Sequence, residues 1–383
     1  MMDTATTARR ESTAPAGVLY VGLELSAREW RLACSGGLAT RGMQTVIRAG
    51  DRPGWQRAIG RAKRRYGLAA AAPVWSCCEA GRDGAWPHRW LTREGVHNRV
   101  VDSSSIEVNR RARRAKTDRL DAAKLVRLLL RVALGEVGVW REVHVLSPAA
   151  EAARQVPRAL TMLTRERTRW RNRIHALLAT VGVRLPIDAQ FPARLAGATT
   201  WADGPVPAAV CARVELAWRF LQQVERERTA LQQAQRAARR AGATPAAVCA
   251  QRLTRLRGIG DRCAWVLATE VYSRNLQNRR QVGALTGLTG VPYQSGTVVR
   301  GQGISRAGLA QVRALAVETA WLWVQWQPTS ELTQWFQRRF AHGGPGQRRV
   351  GIVALARRLV IALWRYDRDG IVPAGAVLKA GVA

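Results

Sequence analysis

Two aspartates three residues apart, Asp118 and Asp121, open a helical pattern that runs on through Leu125, Leu128 and Leu129. Residues i and i+3 share one face of a helix, so both carboxylates point the same way, toward the apolar stripe. Like charges held together at the top of such a stripe are costly without a cation. Mg²⁺ suits the place, because it is held by one or two protein carboxylates together with substrate phosphates. The same residues also read as a plain helix start, with Thr117 or Asp118 capping the first turn and Asp121 complementing the dipole. Two glutamates extend the set: Glu24 lies inside the apolar run Val18 to Leu25, and Glu79 ends the run Pro73 to Cys78. A charge within so apolar a strand is expensive unless it is paired or faces solvent at an edge. Two strand acids and two acids on a covering helix can converge on one point. Four carboxylates with no histidine among them describe a two-metal phosphoryl-transfer site.

The elements that must position these acids follow from the hydrophobic pattern. Strands are expected over Val18–Leu25, Trp30–Ser35 and near Gln44–Ile47, the second and third joined by a turn at Gly36 and Gly37. A basic helix from Pro53 to about Tyr66 precedes a strand over Pro73–Cys78; a helix around Ala85–Glu94 precedes one over Val96–Asp102. Three meander strands followed by alternating helix and strand make a mixed α/β sheet with helices packed on it. Beyond Glu151 the pattern changes to long amphipathic helices. Leu160, Leu163, Trp170, Ile174 and Leu177 follow 3–4 spacing, as do Val214, Ala217, Leu221, Val224 and Leu231, a helical hairpin or coiled coil. The regular part of the first of these helices is expected at or after Pro157. Gly182 to Pro207 is expected as the connecting loop. Arg165, Arg167, Arg169, Arg171 and Arg173 crowd the first helix, and a nucleic-acid contact or a dimer arm is favoured over a solvated face.

Leu253 to Gly260, followed by a helix over Ala264–Val271, has the pattern of a helix-hairpin-helix, whose turn at Gly258 and Gly260 offers backbone N–H groups to a phosphate. A tight turn without a ligand gives the same pattern. Next come two glycine-rich stretches, Gly283–Gly296 and Gly301–Gly308, in which Ser295 and Ser305 would ordinarily be turn formers. Trp321, Trp323, Trp326 and Trp335 are expected in the core rather than as stacking platforms.

Composition bounds the partners. Among 383 residues, 61 Lys and Arg stand against 27 Asp and Glu, a formal charge of +34. Such a chain binds nucleic acid electrostatically, with strong salt dependence, while 15 tryptophans and 47% apolar residues argue for folded domains over a disordered basic tail. Six cysteines without C-x-x-C spacing, and no histidine cluster beside them, argue against a zinc site and suit an intracellular protein with reduced thiols. The first sixteen residues lack the apolar run of a signal peptide. Val350–Trp364 is interrupted by Arg357 and Arg358 and is too polar to cross a membrane, so a cytoplasmic, nucleoid-associated protein is expected.

In order and spacing, Tyr20–Ser26, Cys78–Gly81, Val100–Asp102 and Lys116–Ala122 resemble the DEDD motif stretches of the RuvC-like (RNase H-fold) insertion-sequence transposases. That family is understood as bridge-RNA-guided serine recombinases and is related to the pilin-gene invertases. The resemblance runs from about Val18 to about Gly370. It departs at Glu24, where relatives usually carry Asp, and at Leu309, where relatives often carry Asn. It implies a RuvC-like domain over residues 17–140, with disordered residues 1–16 before it. A coiled-coil segment over 147–245 that helps form a dimer or tetramer follows, then a mainly α-helical C-terminal transposase domain over 250–372 and a tail over 373–383. It further implies Mg²⁺ (or Mn²⁺) on Glu24, Glu79, Asp118 and Asp121, and assigns Ser295 as the nucleophile. Gly258, Gly260, Arg300 and Arg306 would hold the phosphate. Donor and target DNA would be chosen by a structured noncoding RNA, and the two catalytic parts would come from different protomers. Two other readings compete: a RuvC-like nuclease using metal-activated water, which needs no Ser295, and a decayed copy that binds nucleic acid without cutting.

Overall fold

The computed structural model describes residues 17–81, 85–106, 118–296 and 298–379. The chain divides into two compact units, Met1–Val145 and Leu146–Ala383.

The first unit is built on β1 (Leu19–Leu25), β2 (Glu29–Ser35), β3 (Met43–Arg48), α1 (Arg52–Arg65), β4 (Val74–Glu79), α2 (Trp86–Arg93), β5 (His97–Val101) and α3 (Asp118–Ala133). The five strands form one sheet in the order β3-β2-β1-β4-β5. β1, β2 and β3 pair antiparallel, while β4 runs parallel to β1 and β5 parallel to β4. The central strand is apolar on both faces because both are covered. Leu19, Val21 and Leu23 pack with Trp55, Ala58 and Ile59 of α1 and Leu91 of α2. On the opposite face Val18, Tyr20 and Cys77 pack with Ala122, Leu125, Val126 and Leu129 of α3. Asp51 starts α1 by accepting a hydrogen bond from the Gly54 amide, with Pro53 in the first turn, and Lys63, Arg64 and Arg65 complement its dipole at the far end.

The second unit contains α4 (Pro148–Ala153), α5 (Gln155–Ala179), α6 (Phe191–Ala196), α7 (Ala208–Ala241), α8 (Pro245–Thr254), α9 (Asp261–Val266), α10 (Arg279–Thr286), β6 (Gly290–Ser295), β7 (Val298–Ile304), α11 (Ala310–Trp326), α12 (Glu331–Phe336) and α13 (Pro345–Asp369). α5 and α7 lie along one another through Ile174, Leu178, Val214, Ala217 and Leu221, and Trp170 stacks on Phe220 with ring centroids 4.7 Å apart. The segment expected to be only a connecting loop contributes α6, whose Phe191 and Leu195 are buried in that same cluster. α5 begins at Gln155, two residues before Pro157, which lies in its first turn as expected; there its missing N–H costs nothing. Several of the crowded arginines are engaged within the protein: Arg167 pairs with Glu225, and Arg171 donates to the Ile187 carbonyl.

α8, α9, α11 and α13 enclose the C-terminal core, with Trp323 fully buried. Trp321 and Trp326 are exposed, so the expectation of a core place holds for only part of the tryptophan set. After α9 the helix widens into a π-helical stretch, Leu267–Tyr272. Its Glu270 is buried and held by Arg154 and Arg158. Glycine-rich residues expected as loop form instead the two-stranded antiparallel ribbon β6–β7, turning at Gly296 with φ +56°. Val291 and Tyr293 on one strand and Val298 and Val299 on the other supply the β-formers that override the glycines.

Candidate functional site

Glu24 and Glu79 meet at the carboxyl edge of the sheet. The parallel register of β1 and β4 pairs Gly22 with Cys77 and Leu23 with Cys78. One step further lie Glu24 and Glu79, on strands about 4.8 Å apart. Alternation along each strand puts Glu24 on the side of Gly22 and Glu79 on the side of Cys77, the side covered by α3. Arg31 of β2 stands opposite Glu24, and Val101 of β5 pairs with Glu79. Both glutamates line a cleft of about 330 Å³ with Ser26, Gly81 and His88. Cys78 also lines it, but its thiol is pushed up to about 11, by burial first and by the charges of Glu24 and Glu79 besides; it stays protonated and is no nucleophile.

His88 lines the same cleft as the two glutamates. Burial and the neighbouring Arg89 lower its pKa, so the ring is neutral at pH 7. Its Nδ1 lies 3.0 Å from Asn98 Nδ2, and Asn98 Oδ1 accepts from Ser76 Oγ at 2.6 Å. With Nδ1 accepting, Nε2 carries the proton. The only sequence signal was its place in the first turn of α2, one residue after Pro87.

α3 crosses the sheet. Gln44 of β3 donates to the Arg119 carbonyl at 3.2 Å, Ala122 and Val126 lie over Gly22 of β1, and the Cys77 thiol of β4 donates to the Leu125 carbonyl at 3.4 Å. Gln44, Ala33, Gly22 and Cys77 form one row across the sheet. The first turn of α3 therefore stands toward the β3 side, and neither Asp118, which is exposed, nor Asp121, which is half-buried, lines the cleft. Among the described residues no three His, Cys, Asp or Glu side chains gather as a metal-holding group. Thr117 and the basic residues before it lie outside the described residues. Asp102 is engaged locally: its carboxylate accepts from the Ser104 amide and hydroxyl and pairs with Arg141.

Ser295 is the last residue of β6, exposed near the tip of the ribbon and opposite Val298. Tyr293 and Arg300 form the next pair on the same face, with the Arg300 guanidinium 4.7 Å from the Tyr293 ring centre. Arg306 is not brought there. It follows the foot of the ribbon, roughly 17 Å along it from Ser295 at about 3.4 Å per residue. Its φ is +54°, its amide donates to the Gly287 carbonyl, and its own carbonyl accepts from Arg313.

The turn between α8 and α9 is already braced. Gly258, at φ +80°, packs against α11, where a Cβ would stand 3.3 Å from the Leu322 carbonyl oxygen. The Arg257 amide donates to Val377, Gln327 donates to the Arg257 carbonyl, and Lys379 Nζ donates to Thr254 and Ile259. Of the two glycines expected to face a phosphate, Gly260 alone has open space beside it. The expected tail is also tied down as far as 379, through the bridge between Leu256 and Leu378; residues 380–383 lie outside the described ones.

Residues 250–334, which span this turn, the ribbon and all of α11, match the model of the transposase family IS116/IS110/IS902. Two proteins of Sinorhizobium fredii (strain NBRC 101917 / NGR234) named "Putative transposase", y4rJ and y4qE, resemble the chain over most of its length. The first is 38% identical over 380 residues, 95% of each chain. The second is 26% identical over 320 residues, 77% of this chain and 76% of its own. The protein is thus an insertion-sequence transposase. Within that class it belongs to the IS116/IS110/IS902 family.

Proposed function

We propose that the chain moves its insertion sequence by Mg²⁺-dependent DNA cleavage and strand exchange, with a RuvC-like first unit and a nucleophilic serine in the second. The observation that carries this reading is that Glu24 and Glu79 stand side by side near the carboxyl ends of adjacent parallel strands and line one cleft. Two hard carboxylates are what Mg²⁺ asks of a protein when phosphate oxygens complete its shell. Glu24 and Glu79 therefore fit the ion and would hold it; Asp118 and Asp121 do not line the cleft, and in this reading the first turn of α3 would bring them to it when DNA is bound. Bound there, the ion supplies charge neutralisation at the scissile phosphate. The sheet order, a three-strand antiparallel meander continued by two parallel strands, supports the RuvC-like reading.

Ser295 Oγ attacks phosphorus, and the new O–P bond forms as the bond to the leaving oxygen breaks, leaving a phosphoserine. Arg300, on the same ribbon face, balances charge on the phosphate oxygens. A guide RNA and self-association of the coiled-coil helices are parts of the same proposal, supported by the resemblance and the +34 charge.

The test is strand cleavage of an element-end DNA by the purified protein with its copurifying RNA. Cleavage is expected with Mg²⁺ or Mn²⁺ and not in EDTA. Asp118→Asn or Asp121→Asn should each lower the rate by about a hundred-fold or more, with DNA affinity kept. Full cleavage in EDTA overturns the metal assignment.

A further inference from the structure

The helix α13 is apolar on its core side and mixes apolar residues with arginines on the other. One face, including Leu355, Leu359 and Leu363, is buried in the core. The other carries Val350, Val353 and Ile361 and forms the floor of an open groove of about 1870 Å³, walled by the base of the β6–β7 ribbon and by α12. Val350 is 65% exposed. Uncovered apolar side chains interleaved with arginines suit a ligand that is both apolar and anionic. The volume exceeds the roughly 300–1,000 Å³ of small-molecule sites and has room for a polymer.

The rim states its charge. Arg349, Arg357, Arg358 and Arg365 rise from α13 itself, Arg338 follows α12, and Arg279 and Arg306 stand on the ribbon side. Against these seven cations the lining holds one carboxylate, Glu331. A second copy of this chain is a poor match, since its own Lys and Arg outnumber its acids 61 to 27. A duplex would satisfy the arginines but leave the apolar floor bare, because its bases are stacked inside. An unpaired strand satisfies both, with phosphates on the arginines and bases on the floor. Trp335, with the Arg358 guanidinium 3.9 Å from its ring centre, makes a flat platform at the wall. Among the described lining residues the uncharged side chains are apolar apart from Gln334 and Trp335, a floor suited to base faces and to the thymine methyl, which uracil lacks.

We infer that this groove binds an unpaired DNA strand, bases against the exposed face of α13 and phosphates on its arginine rim. The inference rests on the family's action on DNA, and on neither the carboxylates nor Ser295. Its test uses the full-length protein, without divalent metal, and fluorescence anisotropy of labelled oligo-thymidylate, oligo-uridylate and a mixed-sequence duplex. Wild type should bind the thymidylate strand more tightly than the uridylate. Val350→Asp and Arg358→Ala should each weaken thymidylate binding by about ten-fold, changing duplex affinity by less than two-fold. The log–log salt slope for the strand should shrink by about 0.7 in Arg358→Ala. Both positions are exposed or half-exposed, and an unchanged melting temperature establishes that the variants fold. Equal loss of strand and duplex binding overturns the assignment. So does uridylate binding as tight as thymidylate, or a change of oligomeric state in Val350→Asp with strand affinity kept. Metal-dependent cleavage lost in the acid variants alone would leave this groove's binding untouched, so the two readings fail separately.

Discussion

Gly22 of β1 lies so close to α3 that a Cβ there would stand 2.5 Å from both the Ala122 carbonyl oxygen and the Val126 amide nitrogen. Both are backbone atoms, and neither can yield without moving the helix that carries Asp118 and Asp121 across the sheet. Gly22→Ala should therefore destabilise the first unit by about 1–3 kcal/mol, the usual cost of overpacking, read by denaturant unfolding. Cleavage should fall as well, since α3 is displaced two residues from Glu24. Unchanged stability would mean that helix and strand can part without strain.

The second prediction concerns the reach of Glu24. Glutamate places its carboxylate one methylene further than aspartate, while Mg²⁺ accepts oxygens only near 2.0–2.1 Å. With β1 and β4 fixed by their pairing, Glu24→Gln should abolish cleavage and Glu24→Asp should weaken it. Glu79→Gln should match Glu24→Gln, because the two share one cleft. A strong rise of activity in Glu24→Asp would identify this protein as an impaired copy.

The sheet was legible because its strands carry continuous apolar runs, and β1 was read to within a residue. The candidate acids were legible in part. Glu24 and Glu79 fall together because both end parallel strands, a relation that order and alternation already imply. The direction in which α3 crosses the strands is set by the Gly22 contact and the Gln44 hydrogen bond, long-range facts with no local signature. His88 lacked a local signal for the same reason: it shares its cleft with Glu24 of β1, far away along the chain, and the pairing of β4 with β5 sets Asn98 and Ser76 side by side beneath its ring. The ribbon was hidden by its glycines, which mark loops more often than strands.

A third prediction follows from the buried Glu270. Burial pushes its carboxyl up, but hydrogen bonds from Arg158 and Arg154 outweigh burial and hold it below the usual carboxylate range. A carboxylate with a depressed pKa stabilises the fold above its unfolded value, about 4.3, and loses that contribution as pH falls through the folded value. Wild type should lose stability on acidification below about pH 4.3, with no change from this pair between about pH 6 and 8. Glu270→Gln should cost about 3 kcal/mol at neutral pH, because two arginines lose their shared partner, and its stability should be flatter across the acid range. Thermal melts at a series of pH values would check both.

The arginine excess makes a fourth. Nonspecific duplex binding should weaken steeply with salt, with a slope of about −0.9 for each phosphate neutralised. A flat dependence would show that the basic surfaces are not where DNA binds.

The last prediction concerns Ser295, which separates a recombinase from a water-dependent nuclease. A serine hydroxyl is a weak nucleophile and needs a phosphate held in line beside it. At the ribbon tip it is exposed, with Tyr293 and Arg300 on its own face. Ser305 lies instead at the foot, its amide bound to the Thr289 carbonyl at 2.9 Å. Ser295→Ala removes one exposed oxygen and should leave folding and DNA affinity intact. It should also eliminate a protease-sensitive, SDS-resistant protein–DNA adduct, visible on denaturing gels with end-labelled DNA; Ser305→Ala should retain it. Arg300→Ala should reduce the adduct by about ten-fold or more, the scale of losing one charge-stabilising donor, whereas Arg306→Ala, with its charge at the foot, should not. An adduct that persists in Ser295→Ala, or efficient cutting by wild type without any adduct, would remove the serine from the mechanism and leave cleavage to water at the carboxylates.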